Sequence, residues 1–198
     1  MVKEFWDKKF NSDEYIYGKE PNNFLKSYID QVNPGKILLP GDGEGRNAVY
    51  AAKKGWDVTA LDYSTKAKEK ALKLGKQNKV TINFHTSKAE EYTSSEKFDL
   101  IAIIFLHLTP DVRPKVHDKI IHFLKPGGTV LMECFSKDQI DNNSGGPKSI
   151  DLLYNETEIE RDFKELNIKQ LKKTEIELNE GSHHQGKASV IRMIAEKL

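Results

Sequence analysis

The chain has 198 residues, and its 31 lysines and arginines nearly balance 30 aspartates and glutamates, so we expect one ordinary domain without a nucleic acid or a membrane as partner. Its single cysteine, Cys134, excludes an internal disulfide framework and a four-cysteine zinc site, which is typical of a reducing compartment. The N-terminus is charged, and the longest apolar run covers only residues 100–108. We therefore expect neither a signal peptide nor a membrane span, and predict a cytoplasmic protein.

From Lys36 onward, short apolar runs alternate with amphipathic stretches, a pattern typical of a β-α-β chain that winds a parallel sheet. The predicted strands are 37–39, 56–61, 80–85, 98–105 and 129–135. The predicted helices are 46–54, 65–78 and 112–124, the last ended by the KPGG turn. The sheet is therefore expected to lie in the centre of the domain, buried on both faces.

The two ends of the chain depart from this alternation. Two short helices, 3–10 and 22–32, flank the aromatic segment 15–18. A polar loop over 136–149 leads to a helix around 156–166 and then to strands over 168–178 and 188–195. No helix separates these last two strands, which predicts an antiparallel hairpin that closes a seven-stranded sheet.

A glycine-rich loop, GDGEGRN, follows the first predicted strand and opens a helix, which is the position of a ligand-binding turn. Gly41, Gly43 and Gly45 alternate, so the backbone can pass close to a ligand. A dinucleotide fingerprint would need its last glycine where Arg46 stands. The loop therefore fits that fingerprint poorly, and a merely tight turn is the alternative without a ligand.

Acidic side chains in this loop indicate the charge of its ligand. Asp42 and Glu44 would oppose a pyrophosphate at the helix N-terminus, whereas a ligand with a cationic centre suits them. S-adenosylmethionine carries a sulfonium, an ammonium and a carboxylate. We expect the acidic residues to face the cationic groups, while the helix amides, Arg46 or Asn47 bind the carboxylate.

The second strand ends at Asp62, which follows Gly41 by 21 positions. A carboxylate at this spacing accepts hydrogen bonds from both hydroxyls of a ribose. Tyr63 and Ser64, which follow Asp62, are predicted to bind the same ligand. The spacing is common to nicotinamide and adenosylmethionine folds and leaves that choice open. A helix N-cap is a second role for Asp62, and the two roles are compatible.

The segment ILLPGDGEGRNAVYAAKKGWDVTALDYS resembles the first motif, helix and second strand of class I S-adenosylmethionine-dependent methyltransferases. GEGRNA, the N-terminal FWDKKFNSDEYIYGKEPNNFL and the late EGSHHQGKASVIR resemble the small bacterial tellurite-resistance and thiol methyltransferases. The resemblance implies a single Rossmann-like α/β domain over 1–198, with helices on both faces of the sheet. Its parts would be a helical cover over 1–33, a cofactor-binding core over 36–135 and a substrate-side loop and hairpin over 136–198.

Two positions depart from the family pattern. Leu39 stands where an acidic residue usually holds the methionine ammonium, and Asp42 is the candidate substitute. Lys88 stands where an acidic residue usually contacts the adenine amino group, and a lysine cannot accept that hydrogen bond. Within the stretch of Lys88, Ala89 and Glu90, either Glu90 or a backbone carbonyl is expected to serve instead.

By resemblance, the residues after the fourth strand should line the methionine end of the cofactor and the mouth of the substrate pocket. These are Phe105, Leu106 and His107. Methyl transfer needs alignment of the nucleophile and exclusion of water, and a thiol acceptor benefits from a histidine base. His107 and His184 are the predicted catalytic and substrate-binding histidines.

The remaining histidines are predicted to have ordinary roles. In an extended chain, adjacent residues point to opposite faces, so His184 should face the pocket and His183 the solvent. His117, His122 and His85 are expected to be surface or boundary residues. No metal site is predicted, because neither cysteine nor regular histidine spacing accompanies the tandem pair.

Several aromatic residues near the N-terminus form either a cover over the active site or part of the core: Phe5, Trp6, Tyr15 and Tyr17. The resemblance favours the cover and implies that Tyr17 binds substrate. The loop 144–147 either shapes the pocket or is an ordinary connection. Cys134 is predicted to be a buried, inert thiol.

The sequence thus predicts methyl transfer from S-adenosylmethionine to a small acceptor, such as a thiol, a chalcogen oxyanion or a similar soft nucleophile. A non-catalytic protein that binds S-adenosylmethionine or S-adenosylhomocysteine is the first alternative, since Leu39 and Lys88 replace acids. A nicotinamide-dependent oxidoreductase is the second. We expect a monomer or a weak homodimer.

Overall fold

A computed structural model describes residues 3–198, in which seven strands form one sheet in the order β3-β2-β1-β4-β5-β7-β6. The strands are β1 (Lys36–Pro40), β2 (Asp57–Asp62), β3 (Asn83–Thr86), β4 (Phe98–Ile104), β5 (Leu124–Phe135), β6 (Asn167–Glu180) and β7 (His184–Glu196). The helices are α1 (Lys3–Lys9), α2 (Asn23–Ile29), α3 (Arg46–Lys53), α4 (Thr65–Gln77), α5 (Arg113–Phe123) and α6 (Glu156–Asp162). Within residues 3–198, no helix is long and apolar enough to traverse a bilayer.

Strands β1 to β5 pair in parallel, and β7 is antiparallel to both of its neighbours, β5 and β6. The predicted Rossmann-like sheet with an antiparallel final hairpin is therefore confirmed. The strand order reverses direction at β1, which lies between β2 and β4. In open α/β sheets a ligand crevice forms beside such a point, at the carboxyl ends of the strands.

Alternate residues of the central strand β4 supply the cores on the two faces of the sheet. Ile101 and Ile103 pack into the core beneath α5 and α6, while Leu100, Ala102 and Ile104 pack into the core that holds α2, α3 and α4. Both faces of the strand are buried, which explains why its sequence is a continuous apolar run rather than an alternating one.

Several element boundaries differ from their predictions. β3 begins at Asn83 rather than residue 80, because the chain turns there: Lys79 has a positive φ of 58° and the Val80 amide donates to the carbonyl of Gly75. The final hairpin extends to Glu180 and His184, so His184 is the first residue of β7 and not part of a turn. The helix predicted around 156–166 ends at Asp162.

His117 is buried, and its prediction as a surface or boundary residue is wrong. The ring is 0% exposed on α5, its Nδ1 lies 3.0 Å from Asp162 Oδ2, and it packs against Phe163. Helix α6 covers this side of α5, a contact between distant segments that the local sequence does not reveal. His122 is exposed and Cys134 is buried, and both predictions are confirmed.

The segment before α2 is attached to the turn of the final hairpin. The His183 amide donates to the Ile16 carbonyl (3.0 Å), and Gly18 packs directly on Gly181. The side chain of Asn22 caps α2 and also donates to Glu133 Oε1 (2.6 Å). These contacts hold the segment before α2 against the turn of the final hairpin and against β5.

Candidate active site

A pocket opens at the carboxyl ends of β1, β2 and β4, and the glycine loop forms one of its walls. The amides of Gly41 and Asp42 both donate to the carbonyl of Leu61, which fixes the loop to the end of β2. Gly41 and Gly43 line the pocket. Gly45 instead packs against α4, since a Cβ atom at this position would lie 2.5 Å from the Cβ of Ala71.

Asp42 presents an unpaired carboxylate oxygen in the pocket wall. Its Oδ2 accepts from the Ala48 amide (3.2 Å), while its Oδ1 is buried and has no hydrogen-bond partner among residues 3–198. Burial raises the pKa of this carboxyl to about 7, against the lowering effect of the bonds from Ala48 and Asn47. The free oxygen fits the cationic ammonium of S-adenosylmethionine, so Asp42 can replace the acid absent at Leu39.

Asp62 lines the pocket and holds the loop in place. Its Oδ1 accepts from the Ser64 amide (2.8 Å) and its Oδ2 from the Gly43 amide (3.2 Å). Burial raises the pKa of Asp62 to about 6, while these backbone bonds lower it. Each oxygen keeps further acceptor capacity, so the side chain can also bind a ribose diol.

Ser64 has a structural position rather than one in the pocket wall. It is fully buried, its hydroxyl accepts from the Ala67 amide (3.1 Å) as the N-cap of α4, and it donates to Asp7 (2.6 Å). The N-cap role considered for Asp62 therefore belongs to Ser64.

Tyr63, Lys88, Ala89 and Glu90 line the opposite part of the same wall. Lys88 is exposed and its ammonium pairs with Glu91 at 2.9 Å, so its charged group lies at the surface. The polar groups of Glu90 and the backbone of this stretch are the hydrogen-bonding groups available to an adenine here.

The other polar residues of the glycine loop have partners within the protein. Glu44 pairs with Lys70 at 2.5 Å and accepts from the Tyr17 amide, so it supports the N-terminal segment. Arg46 donates to Glu180 Oε2 (2.8 Å), and Asn47 accepts from the Asn22 amide (2.9 Å). Arg46 and Asn47 both line the pocket, and Arg46 Nη1 also donates to the Glu20 carbonyl at 3.5 Å. A guanidinium has five N–H donors, so Arg46 keeps further donors for a ligand carboxylate.

Beyond β4, Phe105, Leu106 and His107 line the pocket as the resemblance implied. Phe105 has a positive φ of 51°, an uncommon conformation for a bulky residue that turns the chain sharply into the site. The His107 Nδ1 is buried without a partner in the described chain, and the ring stacks on Phe135. Burial, then the positive neighbours, lower the pKa of His107 to about 3.

His184 lies in the pocket wall, and His183 is exposed, as predicted. The Nδ1 of His184 lies 3.1 Å from Glu180 Oε2. The His184 ring contacts the ring of Tyr17, and the two ring centroids are 4.5 Å apart. Burial lowers the pKa of His184, and Glu180 partly offsets that effect. The loop 144–147 does not line the pocket but packs behind His184, where a Cβ on Gly145 would lie 2.5 Å from the ring.

The N-terminal aromatic residues divide between cover and core. Trp6, Phe10 and Tyr17 line the pocket, and the Lys9 ammonium donates to the Tyr17 hydroxyl (2.8 Å). Phe5 is half exposed outside the pocket, and the Tyr15 hydroxyl donates to the backbone of α4. The predicted cover therefore consists of Trp6 and Tyr17 together with Phe10.

Sequence reasoning missed two residues of this site. Phe10 lies at the end of the first helix, four positions after Trp6, and that helical spacing was a usable signal. Glu180 pairs with His184 across the hairpin turn, and a longer predicted hairpin would have placed them opposite each other. Within residues 3–198, no cluster of three His, Cys, Asp or Glu residues is suited to a metal ion.

Comparison with known proteins finds a family that resembles the central part of this chain. The profile of the methyltransferase domain family matches residues 37–128, which include β1, the glycine loop, Asp62 and β4. Residues 37–128 are thus similar to a methyltransferase domain. This match agrees with the class I S-adenosylmethionine-dependent methyltransferase predicted from the sequence.

Individual relatives point to the same kind of protein. The chain is 34% identical over 117 residues to the probable thiol methyltransferase 2 of Arabidopsis thaliana, which is 57% of this chain and 50% of that protein. It therefore spans about half the length of that curated relative. The predicted resemblance to thiol methyltransferases is confirmed.

Two solved structures show the same fold. TehB from Haemophilus influenzae superposes with a TM-score of 0.75 at 19% identity, over 99% of this chain and 67% of that one. A second structure comes from work on the conversion of a disulfide bond into a thioacetal group during echinomycin biosynthesis. It superposes with a TM-score of 0.82 at 14% identity, over 100% of this chain and 92% of that one. The fold shared with these two structures thus extends over the described chain.

Proposed function

We propose that this methyltransferase transfers the methyl group of S-adenosylmethionine to a small soft nucleophile, with a thiol as the acceptor class. One observation carries the proposal: a single pocket joins the unpaired carboxylate oxygen of Asp42, at the glycine loop, to the imidazoles of His107 and His184. A cationic cofactor and a proton-accepting group are the two requirements of thiol methylation.

The cofactor would supply a methyl carbon already activated by a positive sulfur, so the protein needs only to bind the cofactor and the acceptor and to orient them. Asp42 would bind the ammonium and Asp62 the ribose hydroxyls. Arg46 would take the carboxylate through the donors that Glu180 leaves free. The adenine would lie along Tyr63 and the stretch from Lys88 to Glu90.

The acceptor would lie between His107, His184 and the aromatic cover. Both histidines are neutral near pH 7, because burial lowers the pKa of each. Trp6, Phe10 and Tyr17 would exclude water, which strengthens electrostatic interactions inside the closed site. Neutral imidazoles beside an aromatic wall suit a protonated thiol.

The first test of this proposal concerns the cofactor. We expect S-adenosylmethionine and S-adenosylhomocysteine to bind the wild-type protein in calorimetric titrations, and Asp62→Asn to weaken both by about tenfold or more, since hydrogen bonds to a charged group contribute about 1.5–3 kcal/mol. NADH is expected not to bind, because acidic loop residues would oppose its pyrophosphate.

Asp57→Asn is the matched control, since Asp57 is exposed at the other end of the same strand, β2. This variant should bind like the wild type. Binding of NADH alone would favour an oxidoreductase and contradict the proposal, and equal affinities for both Asp variants would remove Asp62 from the cofactor site.

We further propose that residues 1–198 work as a single cytoplasmic domain, as a monomer or a weak homodimer, without nucleic acid or membrane. The buried free thiol of Cys134 and the balanced charge support this. The cover, the core and the final hairpin all contribute residues to one pocket, so the site needs all three.

A further inference from the structure

Glu180 stands directly opposite His184 in the final hairpin, as the last residue of β6 paired with the first residue of β7. Its Oε2 lies 3.1 Å from His184 Nδ1 and also accepts from Arg46 Nη2 at 2.8 Å. Its Oε1 accepts a hydrogen bond from the side-chain Nδ2 of Asn22 at 3.3 Å. One buried carboxylate therefore joins the pocket histidine to the glycine-loop arginine.

The negative charge of Glu180 is stabilised by its neighbours His184 and Arg46. Burial raises the pKa of Glu180, but the bond from His184 and the charge of Arg46 outweigh burial and lower this pKa to about 2. The carboxylate is thus ionised at neutral pH, and an ionised carboxylate only accepts hydrogen bonds. His184 must therefore carry its proton on Nδ1, which leaves Nε2 unprotonated.

Building on the proposed function, we propose that Glu180 is a positioning residue that holds His184 with Nε2 as the acceptor of the thiol proton. The thiol gives its proton to Nε2 while its sulfur lone pair forms the new bond to the methyl carbon. The bond between that carbon and the sulfonium breaks, leaving two neutral thioethers. The proton then passes from His184 to solvent.

The surroundings of the two pocket histidines assign this role to His184 rather than His107. His184 faces the negative charge of Glu180, together with the positive charges of Arg46 and Lys9 and the phenol of Tyr17. For His107, burial lowers the pKa, and the neighbouring His184 imidazole and the positive charges of Lys9 and Arg113 lower it further. The His107 imidazole is accordingly the weaker base.

The test begins without cofactor, by ¹⁵N NMR of the histidine rings in wild type, Glu180→Gln and Glu177→Gln. We expect His184 of the wild type to be protonated on Nδ1. Glu180→Gln should lower the pKa of His184 and populate the other tautomer. Glu177→Gln, at an exposed position of the same strand, should change neither, and Glu180→Asp should recover part of the wild-type pKa.

The second readout compares two thiols, an alkyl thiol that is protonated at pH 7 and an acidic aryl thiol that is already ionised. Glu180→Gln should lower kcat for the alkyl thiol by about tenfold, the effect of roughly one pKa unit, and affect the aryl thiol much less. Affinity for S-adenosylhomocysteine, measured in parallel, separates loss of the base from damage to the Arg46 contact.

An unchanged His184 pKa and tautomer in Glu180→Gln, or an equal loss of kcat with both thiols, would overturn the positioning role. If the wild type methylates neither thiol, the proposed function fails and the proton-acceptor role fails with it. The NMR measurement still decides separately whether Glu180 orients His184.

Discussion

Gly45→Ala will lower the free energy of unfolding by about 3 kcal/mol, because it combines overpacking of about 1–3 kcal/mol with a left-handed backbone that costs a residue with a Cβ about 1–2 kcal/mol. Gly45 has a φ of 86°, and a Cβ here would lie 2.5 Å from the Cβ and 2.7 Å from the Cα of Ala71. The clash involves the backbone of α4, so a side-chain rotation cannot relieve it.

Gly127→Ala is the matched control, since Gly127 also has a positive φ, 75°, but an added Cβ would meet no atom within 4 Å. This variant should lose only the backbone contribution, about 1 kcal/mol. Urea unfolding followed by circular dichroism measures both. Equal losses in the two variants would show that the packing of the glycine loop on α4 does not constrain the fold.

His184→Ala will lower kcat for methylation of an alkyl thiol by about 100-fold, the lower range for loss of a general base. The imidazole is the group that would accept the thiol proton, and the substitution also removes its ring contacts with Tyr17 and Phe105. Steady-state assay of S-adenosylhomocysteine formation measures the effect.

His183→Ala is the matched control, because His183 precedes His184 but is exposed. It should keep wild-type turnover. S-adenosylhomocysteine should still bind His184→Ala, since the glycine loop and Asp62 are unchanged. Wild-type kcat in His184→Ala would remove this residue from the mechanism.

Local patterns in the sequence were sufficient for the sheet and for one wall of the site. Apolar runs separated by amphipathic stretches specify βαβ units, and the handedness of such units leaves few topologies. The glycine loop and Asp62 lie within one βαβ unit, so their spacing in sequence fixes their separation in space. Asp42 and Asp62 accordingly lie in the pocket as expected.

Contacts between distant segments could not be derived in the same way. Ser64 and Gly45 were assigned to the cofactor wall, yet they pack α4 against Asp7 and the start of α3, because packing against another element decides which way a loop residue faces. His117 was misjudged because α6 covers α5. Glu180 could be identified as the partner of His184 only once the register of the final hairpin was known.

Transfer of a labelled methyl group tests thiol methylation by this protein most directly. The wild-type protein is incubated with S-adenosylmethionine carrying a CD₃ group and with an alkyl thiol, and the products are analysed by mass spectrometry. We expect the CD₃ thioether and S-adenosylhomocysteine to form in equal amounts. Saturable binding of S-adenosylmethionine with no labelled thioether from any thiol would contradict thiol methylation and favour a protein that binds the cofactor without catalysis.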